Sequence, residues 1–229
     1  MPHALGPAAL ARLRTYTTPT LSNAIETFNV RPKTAGFTAG HIRCLFPELG
    51  PMVGYAVTAT CRAGTTPPPD ATARRAGLWR AIEATPAPRI VVIQDLDDPP
   101  GIGAFWGEVQ STIHHALGCV GTVTNGAVRD LDEVKALGFH FFAGSLVASR
   151  AYVHLIDVGD PVEVDGLPVR TGDLLHADQH GVLAIPHDVA DRLDDAVERV
   201  NQSEQEILAY CRRADFTREG LEAIYLKRR

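Results

Sequence analysis

Gly121-Thr122-Val123-Thr124-Asn125-Gly126-Ala127-Val128-Arg129-Asp130-Leu131-Asp132-Glu133 sets the architecture of this chain and the place of its chemistry. Residues 119–124 are rich in β-branched side chains and carry no charge, the pattern of a short buried strand. Asn125-Gly126 is among the commonest turn-forming dipeptides and is expected to break that strand. Leu131, Val134 and Leu137 then share one apolar face at helical spacing. Arg129 and Asp130 therefore stand between the end of a strand and the start of a helix, where open α/β sheets bind ligands. A guanidinium beside a carboxylate there suits an anionic substrate held together with a hard cation. A plainer use is equally open, because Asp130 followed three residues later by Glu133 has the form of a capping box.

Working back from this stretch, residues 89–95 read as a buried strand and Met52–Arg62 as a longer one, with Ala71–Ala84 as a helix between them. Residues 6–14 and 20–28 read as two short helices. Asp95-Leu-Asp-Asp-Pro-Pro-Gly-Ile-Gly-Ala-Phe-Trp-Gly107 is a long loop of glycine, proline and acid, and such loops inside compact domains tend to be functional. It feeds a helix over 107–117 whose first-turn amides point back at whatever the loop encloses, as helix N-termini do toward carboxylates and phosphates. Gly101 and Gly103 fit the start of a dinucleotide fingerprint, but Trp106 stands where its third glycine belongs. Phe105 and Trp106 suit either a pocket wall or a staple to the core.

Forward of the stretch, residues 139–144 and 151–158 alternate like strands, and 161–170 form a hairpin signal around Asp165-Gly166. Further strands are expected at 174–177 and 181–185. A long amphipathic helix is expected over 187–211, with Val189, Leu193, Val197, Val200 and Ile207 on one stripe, and a short helix over 218–226. Alternating strands and helices followed by a run of strands indicate one α/β domain whose second half adds an antiparallel or mixed sheet. Its parts are N-terminal helices (1–50), a core sheet with the site (51–186) and C-terminal helices (187–229).

With 229 residues the chain can bury one large core without being forced to split, and a net charge of −5 argues against a general nucleic-acid binder. The N-terminus lacks the basic start and apolar core of a signal peptide, and no apolar run reaches membrane-spanning length, so a cytoplasmic protein is expected. Cys44, Cys61, Cys119 and Cys211 form no CxxC pair and are expected as reduced, mostly buried thiols. Lysine occurs only at 33, 135 and 227, which leaves few candidates for a Schiff base and favours a metal for any carbonyl chemistry. His176, Asp178 and His180 would share a face in a continuous strand and make a credible metal set. Gln179-His180-Gly181 reads instead as a turn, with Asp178 as its former. His114 and His115 diverge by about 100° on a helix and do not chelate one ion easily.

Several of these pieces, in order, resemble the RraA-like proteins, which include the class II 4-hydroxy-4-methyl-2-oxoglutarate / 4-carboxy-4-hydroxy-2-oxoadipate aldolases and the regulator of ribonuclease E activity. They are Gly50-Pro51-Met-Val-Gly-Tyr-Ala-Val-Thr58, Trp106-Gly107-Glu108-Val109, Gly121 through Asn125-Gly126-x-x-Arg129-Asp130-x-x-Glu133, residues 139–143, Pro161-Val-Glu-Val-Asp-Gly166, and Gly172-Asp-Leu-Leu-His-Ala-Asp178-x-His-Gly-Val182. The specific part is the glycine followed some twenty residues later by Arg-Asp-x-x-acid. Gln110, Asn125 and the Asp-Asp-Pro-Pro run depart from the common aldolase pattern.

The resemblance implies a single-domain α/β/β swivelling, phosphohistidine-domain-like sandwich with a long C-terminal helix. It also implies a homotrimer or homohexamer with sites between subunits. In the aldolases an Mg²⁺ or Mn²⁺ is held by the aspartate matching Asp130, and the arginine matching Arg129 contacts the oxo-acid. Amides following the glycine matching Gly107, those of Glu108 and Val109, hold its carboxylate. Arg129, Asp130 and Glu133 are thus the expected catalytic residues, and Glu204 of a neighbouring subunit is a candidate to complete the site. The expected function is a divalent-metal-dependent lyase that cleaves a C–C bond of a small 2-oxo acid through a pyruvate enolate, as aldolase or oxaloacetate decarboxylase. The alternative is a non-catalytic regulator that binds a ribonuclease or another protein.

Overall fold

The structure, a computed structural model, describes residues 4–226. In chain order its elements are α1 (Pro7–Leu13), α2 (Thr18–Glu26), β1 (Arg43–Cys44), β2 (Met52–Arg62), α3 (Ala71–Ala84), β3 (Arg89–Asp95), β4 (Ala104–Trp106), α4 (Glu108–Ala116), β5 (Cys119–Val128), α5 (Leu131–Leu137), β6 (His140–Leu146), β7 (His154–Val158), β8 (Val162–Val164), β9 (Leu167–Val169), β10 (Leu174–Asp178), β11 (Gly181–Ile185), α6 (Leu193–Cys211) and α7 (Arg218–Leu226). Short 3-10 turns occupy Pro47–Leu49 and Ala190–Arg192.

The main sheet runs β1-β6-β5-β3-β2-β10-β11, with β4 added to β5 and β7 to β2. Its centre, β6-β5-β3-β2, is parallel, and β1, β7, β10 and β11 join antiparallel. Successive residues of a strand face opposite sides, so an unbroken apolar run must be covered on both. Val91 and Ile93 of β3 accordingly pack with Leu78 and Ile82 of α3 on one side. Ile90 and Val92 pack with Val162, Val164, Leu167 and Val169 of the β8–β9 hairpin on the other. At the far end of the helical side, α1, α2 and α6 cover Val53, Tyr55, Leu174, Leu183 and Ile185. Helices, main sheet and hairpin make the expected α/β/β sandwich.

Three local expectations are corrected. Asn125-Gly126 does not turn: β5 runs through it to Val128, with a register shift between Thr124 and Ala127. The Asn125 side chain takes the place of the interrupted ladder, its Oδ1 accepting the Asp95 N–H at 2.7 Å and its Nδ2 donating to the Asp95 carbonyl at 3.0 Å. Gly126 lies so close to Asp95 that a Cβ there would sit 2.9 Å from Oδ2. Second, the acidic loop is shorter than expected, ending before Ala104. Asp95 accepts the amides of Asp97 and Gly101, Asp97 accepts those of Ala63 and Gly64, and the loop closes with the short strand β4. Third, the C-terminal helix begins at Leu193 after a 3-10 turn, not at 187, and its apolar stripe is buried only at Leu193, Ala196 and Val197. Ile207 is half-buried and Leu208 is exposed.

Candidate active site

The carboxyl ends of β4 and β5 lie side by side and parallel, and each delivers a helix: α4 after Gly107 and α5 after Asp130. The Arg129 N–H donates to the Trp106 carbonyl at 3.1 Å, which fixes the two strand ends against each other. Asp130 then takes a left-handed backbone, φ 57° and ψ 50°, a conformation that aspartate tolerates better than most residues. From there its side chain does not cap α5. Its Oδ2 accepts the Glu108 N–H of α4 at 3.0 Å and lies 3.6 Å from Arg129 Nε. The capping expectation is therefore corrected in its address: Asp130 caps the neighbouring helix across the site. Gly107 leaves room for that crossing, because a Cβ there would push against Asp130 Oδ2 and lie 3.1 Å from Arg129 Cγ.

Around this crossing is a cavity of about 170 Å³ lined by Arg75, Ala104, Phe105, Gly107, Val109, Gln110, Arg129, Asp130, Arg150 and Val153. Its size lies below the roughly 300–1,000 Å³ of sites for drug-sized molecules, so it suits a small acid. Three guanidiniums and one carboxylate line it, which leaves its wall with a positive balance of charge. Of the residues expected from sequence, Gly107, Val109, Arg129 and Asp130 meet here, and the Glu108 amide is engaged by Asp130. The Glu108 side chain is exposed and does not line the cavity. Glu133 is exposed in the first turn of α5 and is not a lining residue either; there its charge suits the helix N-terminus. Glu204 is exposed on α6, its Oε1 accepting from Asn23 Nδ2 at 3.3 Å.

Arg75 and Arg150 were not legible as site residues. One sits in a helix with little amphipathic contrast and the other in an irregular segment, and no local pattern says that they converge. Phe105 does wall the cavity, whereas Trp106 is buried beneath it. His114 packs under both rings, 4.7 Å from Trp106 and 6.3 Å from Phe105 between centroids. Burial lowers its pKa to about 4, so the ring is neutral, and its Nδ1 pairs with the Gln110 carbonyl. His115 is exposed, and the two histidines diverge as the helix requires.

Asp178 ends β10 and accepts the amides of Thr18 and His180 at 2.9 and 2.8 Å, while His176 Nδ1 pairs with Thr18 Oγ1. Asp178 is the turn former expected, and among the described residues no group of three or more His, Cys, Asp or Glu is arranged to hold a metal. Asp130 alone therefore has to be weighed against Mg²⁺ or Mn²⁺. Its side chain is 34% exposed, and its Oδ1 has no hydrogen-bond partner among the described residues. Mg²⁺ is commonly held by one or two carboxylates with waters and substrate oxygens completing the shell. Asp130 fits that sparse mode and no caged one. The lysines offer no alternative at the cavity: Lys33 pairs with Glu26 and Lys135 with Glu48, both exposed, and Lys227 lies outside the described residues.

Residues 18–184 match the model of the RraA-like family, described as Aldolase/RraA. A protein of Halalkalibacterium halodurans, named as a candidate 4-hydroxy-4-methyl-2-oxoglutarate aldolase, is 33% identical over 105 residues, 45% of this chain and 49% of that protein. The matches span about half or less of the length of the curated relatives. Among solved structures, an uncharacterized protein of Pseudomonas syringae pv. tomato superposes with a TM-score of 0.74 at 21% identity, over 99% of this chain and 97% of that one. Streptomyces coelicolor RraAS2, described as an unusual member of the RNase ES inhibitor RraA protein family, gives 0.69 at 19% identity, over 92% and 99%. At those identities the likeness is one of fold. The family match over most of the chain, with the Gly107, Arg129 and Asp130 crossing inside it, leads to one conclusion: this chain belongs to the RraA-like family.

Proposed function

We propose that the protein is a divalent-metal-dependent lyase that cleaves a C–C bond of a small 2-oxo acid through a pyruvate enolate. The physiological reaction would be a 4-hydroxy-2-oxo-acid aldol cleavage, an oxaloacetate decarboxylation, or both. The observation that carries this reading is the meeting of Arg129, Asp130 and the α4 N-terminus over Gly107 in one small cationic cavity. The amides of the first turn of α4 offer donors to a carboxylate. The Arg129 guanidinium offers a planar fork to the 2-oxo oxygen, where negative charge develops as the C–C bond breaks. Asp130 would hold Mg²⁺ or Mn²⁺, which as a Lewis acid stabilises charge on the same oxygens. Releasing Oδ2 from the Glu108 amide would free that donor for the substrate.

Both reactions generate the same enolate, so a single site serves either. The regulator reading draws on the fold shared with RraAS2. A surface that only binds a partner has no need of an arginine and a carboxylate crossing over a glycine inside a cavity. We also propose residues 1–229 as one domain, working in the cytoplasm as a homotrimer or homohexamer. In such an assembly Glu204 of one copy could complete the cavity of the next. A light-scattering mass of a single subunit at all concentrations would contradict the shared site. For the reaction itself, pyruvate release from oxaloacetate and 4-hydroxy-2-oxo acids should require Mg²⁺ or Mn²⁺ and stop with EDTA; no release from any of them would sink the lyase.

A further inference from the structure

Two apolar surfaces of this chain are left uncovered within one copy. The first is a groove of about 500 Å³ between α3 and α4, with Ala76 and Trp79 on one wall and Ile113 and Leu117 on the other. α3 turns Leu78 and Ile82 into the core, so Ala76 and Trp79 give the same helix a second apolar face. A helix that is apolar on both faces is a helix covered on both. Trp79 is half-buried at the groove, and tryptophan is enriched among the residues that carry interface energy.

The second surface is on the C-terminal arm. Val197 is the last buried residue of α6, and α7 buries none. Leu221, Ile224 and Tyr225 nevertheless stand at i, i+3 and i+4, the stripe of an amphipathic helix. The arm is built by its own contacts: Phe216 packs on Tyr210 with ring centroids 5.6 Å apart, and Tyr210 Oη lies 3.2 Å from Thr217 Oγ1. An amphipathic helix with its stripe uncovered is the shape that an apolar groove accepts.

Within one copy the helix and the groove do not meet. Arg12 pairs with Asp194 at 2.6 Å and Asn23 with Glu204 at 3.3 Å, which holds α6 along α1 and α2, and α7 packs back on α6. A neighbouring copy brings them together. In the assembly proposed above, Glu204 of one copy meets the cavity of the next. The groove continues from that cavity, because Trp79 follows Arg75 by one turn of α3 and Ile113 follows Val109 by one turn of α4. Between Glu204 and the end of α6 at Cys211 lies roughly 10 Å of helix, enough to carry α7 past the cavity mouth.

We infer that α7 of one copy docks in the α3–α4 groove of the next, with Leu221, Ile224 and Tyr225 against Trp79, Ile113 and Leu117. Charge agrees with this occupant. Arg80 and Glu83 at the groove have no ion-pair partners among the described residues, and α7 carries Arg218, Glu219 and Glu222 to meet both signs. A helix and a groove are different surfaces, so the contact is head-to-tail, the kind that builds a ring. The inference rests on the shared-site assembly proposed above.

Light scattering and tryptophan fluorescence over a dilution series test it. The chain has two tryptophans and Trp106 is buried, so changes in emission report on Trp79. The wild type should have a mass that is a multiple of three subunits, and its emission should shift to the red as dilution takes it apart. Ile224→Glu should move dissociation to a concentration at least about tenfold higher, the effect of losing an interface anchor. It should also redden the emission of Trp79 where the wild type is still assembled. Ile224 lies outside the core, so the far-UV circular dichroism of this variant should match the wild type. Trp79→Ala should reproduce the change in mass. A wild-type assembly whose mass survives both substitutions, with emission unaltered in Ile224→Glu, overturns the docking of α7 and leaves the assembly resting on another surface. A single-subunit mass at every concentration removes the shared-site assembly and the docking with it.

Discussion

Asp130 leaves β5 with φ 57° and ψ 50°, and from that backbone its Oδ2 reaches the Glu108 amide instead of its own helix. Asparagine tolerates the same left-handed backbone and caps helices nearly as well, so the structural part of the role survives Asp130→Asn. A neutral amide is a far poorer partner for a hard dication. We expect Asp130→Asn to melt within a few degrees of the wild type while metal-dependent pyruvate release is lost. Unfolding, or undiminished turnover, would contradict the assignment. Arg129 gives the complementary case. Lysine keeps the charge but not the fork, and losing such a donor costs on the order of 10²–10³ in kcat. Arg129→Lys should lose that much in steady-state assays with an unchanged melting curve; full activity would remove Arg129 from the chemistry. Residue types and spacing were enough to single out Arg129 and Asp130, and the family resemblance added Gly107. They were not enough to show which helix Asp130 would cap, because that depends on β4 and β5 ending side by side.

Among the elements, β2, β3 and α3 follow directly from the sequence, since wholly apolar runs such as residues 90–93 have no use outside a two-sided core. β5 does not, because local turn preference at Asn125-Gly126 is overridden by pairing with Asp95, thirty residues away in the chain. That pairing carries a prediction. Asn125→Ala removes both bonds to the Asp95 main chain and leaves a donor and an acceptor of β3 without them, a loss of about 1–3 kcal/mol. Urea unfolding should show a change in stability of that size. A change below about 0.5 kcal/mol would mean that β5 holds its course past Thr124 for another reason. β4 escaped notice because three residues inside a loop of glycine and acid give no periodicity to read. Phe105 was still readable as a pocket wall, but the Val153 that joins it across the cavity was not.

At the scale of the whole molecule, three histidines are enclosed where protonation is disfavoured: His114 beneath the cavity, His140 on β6 and His176 on β10. Burial lowers each pKa from 6.5 to about 4. The unfolded chain therefore takes up more protons than the folded one between those values. Stability should be full above pH 6.5 and fall as the pH drops toward about 4. Each ring can remove at most roughly 1.4 kcal/mol for every pH step of one across that window. A urea midpoint that stays flat from about pH 7 to about pH 4.5 would contradict this. An α/β domain that adds antiparallel strands in its second half was legible from strands and helices alternating up to residue 140 and a run of strands after it, whereas the α/β/β layering came from the family resemblance. The convergence of Arg75 and Arg150 was not legible, because it arises only when α3 and the 148–151 segment meet over β4. We propose above that this fold presents a metal-assisted 2-oxo-acid site at the crossing of Gly107, Arg129 and Asp130. Titrating the wild type with oxalate, a planar mimic of the pyruvate enolate, with and without Mg²⁺ tests it most directly. Such a site requires binding that appears with Mg²⁺ and fails in Asp130→Asn; no binding in either condition would rule it out and leave the regulator.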